Sequence, residues 1–138
     1  MGVLHKSAAS LGFYSDDLDP SHISEVLGAR PTVGVRKGGV WKTATGAEKI
    51  AVTGSWRLSF ARRSPGDLDG QIQEILAKLT SDTAAWRLLS ERYNGRVFCG
   101  LFLASGNEGI RLEPRTITAM GERGLFLDLD IYGSEMPE

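Results

Sequence analysis

The sequence has one cysteine, two histidines and no apolar run long enough to cross a bilayer. Each scarcity excludes something. Cys99 cannot close an internal disulfide, and inside "VFCGLFLA" it reads as a small buried hydrophobe. His5 and His22 stand alone, with no G-x-S-x-G, H-E-x-x-H or paired C-x-x-C beside them, so no nucleophilic or zinc-based reaction class finds its motif. Without 18 consecutive apolar residues nothing spans a membrane. The opening "MGVLHKSAAS" also lacks the apolar centre of a signal peptide. The expectation is a soluble cytoplasmic protein. Its formal charge of −1 gives no overall pull toward nucleic acid or membrane.

What is present fits an ordinary globular chain: 138 residues, 41% apolar and 24% charged. That is one domain with a core of its own, over residues 1–138, with 1–9 and 133–138 as loose termini. "LGFYS" reads as a strand, and Ile23, Val26 and Leu27 then share one helical face. Asp19 stands at the N-cap of that helix, Pro20 at its first position and Gly28 just past its end. Residues 32–38 read as a strand, 38–55 as a long connection with a short strand at "KIAV", and "WRLSF" as a strand with Trp56, Leu58 and Phe60 inward. Leu68 to Leu79 and Trp86 to Tyr93 keep helical spacing, broken by a fresh cap at "TSD". "RVFCGLFLA" predicts a strand buried on both faces, "SGNEG" a hairpin turn and "IRL" a short strand after it. "EPRTITAMGERG" predicts a helix with Ile117 and Met120 inward, and "LFLDLDIY" a last strand. The fold class is α+β, a single antiparallel or mixed sheet with helices on one face. "LDPSHISEV" and "LEPRTITAM" echo each other, which would fit pseudo-twofold strand–helix–strand halves of ferredoxin-like flavour, or merely one helix-start device used twice.

Two constellations carry chemistry. Asp16, Asp17, Asp128 and Asp130 would make a hard-cation site if the first and last strands lay together; capping and solvation explain them more simply, and no metal or other cofactor is implied. Residues 30–63 hold eight of the sixteen basic residues and one acid, a local +7 against −8 elsewhere. Arg36, Lys37, Trp41, Lys42 and Arg57 within it could bind an anionic ligand or partner, Trp41 by stacking. Alternatively the segment neutralises the chain's own acids, including the Asp128–Asp130 row. The reading favoured is a non-enzymatic binding or protein-interaction module, with a protein partner or a homodimer meeting a sheet edge. Anion or nucleic-acid binding through 30–63 is the first alternative, a carboxylate or metal-assisted enzyme the second.

"DDLDPSHISEVLGARPT", the Trp56 strand, the "DLDGQIQEILAKL" helix and the terminal "LDLDIY" resemble a family of small bacterial proteins known as domain of unknown function 4279, over roughly residues 10–132. The resemblance implies a bacterial, soluble α+β domain and carries over no catalytic residue. The connection 38–55 looks individual to this chain.

Overall fold

Alternation in one long strand decides which side of the sheet is covered. The computed structural model describes residues 2–134, and in it β2 (Lys6–Ser15) buries Ser7, Ala9, Leu11 and Phe13 while its other residues face away. A two-residue period puts those two sets on opposite faces. Around β2 stand β3 (Val33–Val35), β6 (Gly54–Ser59), β7 (Arg96–Phe102) and β9 (Phe126–Tyr132), in the order β3-β6-β2-β7-β9. All neighbours are antiparallel except β7 and β9, which run parallel. A hairpin of β4 (Val40–Lys42) and β5 (Glu48–Ile50) and a parallel pair of β1 (Gly2–Val3) with β8 (Glu108–Gly109) complete the strands.

The helices are α1 (Pro20–Leu27), α2 (Leu68–Ala77), α3 (Thr83–Tyr93) and α4 (Pro114–Glu122). Their buried residues, among them Ile23, Ile72, Trp86, Tyr93 and Met120, meet Trp56, Leu58, Val97, Cys99 and Leu101 of the sheet in one cluster. The expected mixed α+β sheet with one helix-covered face is therefore what forms. Phe13 sits at its centre, edge-on to Trp56 at 5.9 Å and tilted to Trp86 at 6.3 Å. Each buried indole spends its N–H, Trp56 on Ser24 Oγ and Trp86 on the Thr80 carbonyl. The buried Ser7 and Gln71 satisfy one another: Ser7 Oγ donates to Gln71 Oε1 at 2.6 Å, and Gln71 Nε2 donates to the Ser7 carbonyl.

From β2 through β7 the chain runs strand, helix, strand, strand, helices, strand, in the order β7-β2-β6-β3. That is the arrangement of a ferredoxin-like βαββαβ unit. α4 and β9 are appended to it at the β7 edge. The internal echo thus links α1 with the appended helix, not with its counterpart across the pseudo-twofold, which is α2–α3. The two starts also differ. Asp19 caps α1 by accepting from Ser21 N–H, and Gly28 ends that helix at φ 80°, but Glu113 makes no side-chain cap bond.

Several expectations change. The sheet begins at Lys6, so residues 6–9 are strand and Ser7 is fully buried. The loose tail expected over 133–138 lies outside the described residues from 135 onward. The connection 38–55 contains the β4–β5 hairpin, with its second strand at 48–50. Phe60 ends up 37% exposed beyond the end of β6, and Ile117 55% exposed because Thr116 takes the inward place. β7 buries Val97, Cys99 and Leu101 but leaves Phe98 and Phe102 half-buried, since no helix lies on their side. "IRL" is not a strand; the short pairing after the turn is Glu108–Gly109 with β1. Among the described residues no helix is long and apolar enough to cross a membrane.

Candidate functional site

Two of the bases singled out in the sequence meet acids of the opening cluster, and the other acids meet partners elsewhere. Arg36 pairs with Asp19 at 2.9 Å and Lys37 with Asp16 at 3.1 Å, so the start of the basic segment folds onto the opening acid cluster. Asp17 accepts from the Ser15 hydroxyl and faces Arg92 at 3.4 Å. These contacts hold both exposed carboxyls below their ordinary value of 3.8, Asp16 through Lys37 foremost and Asp17 through Ser15 foremost. On the far edge, Asp128 pairs with Arg96 at 3.1 Å and Asp130 accepts from the Tyr132 hydroxyl at 2.5 Å. The structure does not bring Asp16, Asp17, Asp128 and Asp130 together as a cation site. Each is answered by its own donor, and among the described residues no group of three or more His, Cys, Asp or Glu is placed to hold a metal ion.

Of the five basic-segment candidates, Lys42 lies exposed on the hairpin, and Trp41 carries the Arg57 guanidinium 4.9 Å from its ring centre. Arg57 is where the site begins. It stands on β6, on the side of the sheet away from the helices, in register with Gly12 of β2 and, through it, Arg96 of β7. Alternation places Ala8, Ser10 and Tyr14 on that face from β2, Phe98, Gly100 and Phe102 from β7, and Asp128, Asp130 and Tyr132 from β9.

A depression of about 320 Å³ opens on this face. Small residues of the two central strands, Ala8, Ser10 and Gly100, line its bottom. A Cβ at Gly100 would press on the Phe102 ring at 3.2 Å. Arg57, Phe60 and Arg62 line it from the β6 side, Phe98, Phe102 and Tyr132 from the other. Phe102 and Tyr132 stack 4.7 Å apart and 4° from parallel, with the Arg62 guanidinium 4.7 Å from the Phe102 ring. Arg96 lies 5.0 Å from both the Tyr14 and the Phe98 rings. Burial works against its charge, but the Tyr14 hydroxyl and Asp128 outweigh that and raise its pKa. Arg57 and Arg62 differ from Arg96 in one respect: among the described residues neither has a carboxylate partner. The Arg57 Nε, like those of Arg96 and Arg123, is buried without a hydrogen-bond acceptor among the described residues.

Two unneutralised guanidiniums beside a row of rings can hold a flat anion by charge and stacking. Neither histidine lines the depression; of its hydroxyls, Ser10, Thr32, Ser59 and Tyr132, the last donates to the Asp130 carboxylate. Sequence reasoning found Arg57 but missed Arg62, Phe98 and Phe102. The phenylalanines alternate with Val97, Cys99 and Leu101, and an all-apolar run hides which half faces out.

A family model described as "Domain of unknown function (DUF4279)" matches residues 5–134. Comparison with curated proteins and with solved structures finds no match.

Proposed function

The chain belongs to the DUF4279 family, and from that premise we propose that it is a non-enzymatic binding module whose working surface is the open face of the sheet. Its ligand is a flat group bearing negative charge, a nucleotide or a short single strand. The observation that carries this is that Arg57 and Arg62, without carboxylate partners among the described residues, line one depression with the rings of Phe98, Phe102 and Tyr132. Open sheets with two or three surface aromatics take unpaired bases by stacking, and the arginines supply the phosphate contacts. The carboxylate-enzyme alternative is weaker, since Asp16, Asp17 and Asp128 are engaged with Lys37, Arg92 and Arg96. A cytoplasmic setting belongs to this reading, supported by the lone, buried thiol of Cys99.

Trp41 reports on the site, because it touches Arg57 while Trp56 and Trp86 are fully buried. Titration with adenosine monophosphate or a short oligonucleotide is expected to change its fluorescence saturably. Adenosine and inorganic phosphate, each with half the chemistry, bind more weakly. Arg57→Ala and Arg62→Ala each cost roughly tenfold in affinity. With the oligonucleotide, log affinity falls against log salt with a slope of about −0.7 per contacted phosphate. A preference for the oligonucleotide identifies a single strand as the ligand, and equal binding a mononucleotide. No saturable response, or one indifferent to salt and to both substitutions, removes the proposal.

A further inference from the structure

β9 ends the sheet, and among the described residues no strand pairs with its outer side. Phe126 N–H donates to the Gly95 carbonyl and the Tyr132 carbonyl accepts from Leu103 N–H, both toward β7. Alternation therefore turns the N–H and C=O groups of Leu127, Leu129 and Ile131 outward, away from the sheet. The side chains of those three residues, on the helix-layer face, are 39%, 46% and 59% exposed. The strand runs seven residues without proline, lysine or bulge, the usual guards of an edge. β3, the opposite edge, is only three residues long.

We propose that β9 is a strand-addition site for an extended segment of another protein, one that alternates apolar with basic residues and sets a Lys or Arg opposite Asp130. The acids decide against a second copy of this chain. In a twofold antiparallel pairing, the register that overlaps the whole of β9 is centred on Leu129. It faces Asp128 with Asp130 of the second copy, twice, and like charges directly opposed are unfavourable. Registers centred on Asp128 or Asp130 set that acid against itself, and those centred on Leu127 or Ile131 escape the clash but pair only three residues of each β9 with the other. Charge complementarity points instead to a cation. Asp128 is already answered by Arg96, but Asp130 has only the Tyr132 hydroxyl and no ion pair among the described residues. Main-chain bonds would supply the affinity, and the two alternating faces the selectivity. This inference is independent of the open-face ligand.

The test is NMR titration of the isotope-labelled full chain with two short synthetic peptides, one alternating valine with lysine, the other valine with glutamate. The lysine peptide is expected to shift the amide signals of Leu127, Leu129 and Ile131, to protect them from exchange, and to bind roughly fivefold or more tighter than the glutamate peptide. Asp130→Lys reverses that preference. Leu129→Pro removes an outward N–H without touching the β7 ladder, and abolishes both responses; should it fail to fold, the Asp130→Lys reversal still decides. Equal binding of both peptides, no response at β9, or protection of the same amides by a concentration-dependent dimer without peptide would each overturn the proposal.

Discussion

Arg57, Arg62 and Arg96 show how a guanidinium on an open sheet can be held by rings instead of by counter-charges alone. A lysine there would keep the charge and lose the planar contact, so Arg→Lys is not a neutral exchange on this face. Cys99 is the opposite kind of residue. It stands on the helix-covered side of β7, fully buried, and burial foremost, then the Asp128 charge, pushes its thiol up to about 12. The folded pKa lies above the ordinary 9.0, so the stabilising effect is complete below pH 9 and is lost as pH rises toward 12. Alkylation of the native protein at pH 8 should therefore be negligible, and should reach completion once denaturant unfolds the chain. Rapid labelling under native conditions would mean that the strand opens locally.

The four helices divide by how they begin. Asp19, Asp67 and Asp82 accept backbone N–H bonds at the starts of α1, α2 and α3, and Glu113 accepts none at the start of α4. Asp19→Ala and Asp82→Ala should each lower stability by about 1 kcal/mol in urea unfolding. Glu113→Ala should stay within about 0.5 kcal/mol, having only an exposed pair with Arg115 to lose. A larger loss at Glu113 would show that acid–proline starts act through something other than the cap. Much of this was legible in advance. Caps, terminal glycine and 3.6-residue spacing are local signals, and α1 and the α2–α3 break both stand where those signals put them. Features set by distant partners were not legible. Ser7 becomes strand because Gln71 waits for it 64 residues later, and Phe98 faces out because no helix covers that side. Arg62 enters the site only because Phe102 stands within reach of it, forty positions along the chain.

At the scale of the molecule, charge separated along the sequence is largely mixed in space. Arg36, Lys37 and Arg63 leave the basic segment to meet acids beside it, and of the five bases in it without an ion pair among the described residues, Arg57 and Arg62 line the open-face depression. The architecture divides unevenly too: a βαββαβ unit, with α4 and β9 added on one flank. Hydrogen exchange should find the amides of β2 and β6 slowest. Those of β9 that bond to β7 should exchange faster, because their side chains are part-exposed and one flank is bare. Uniform protection across all five strands would contradict that order. The flat Phe102–Tyr132 stack then takes on a second meaning. It is a place on the open surface where the added flank is riveted to the βαββαβ unit, so whatever lodges against those two rings also slows the fraying of the final strand, and occupancy on one side of the molecule can be timed from the other.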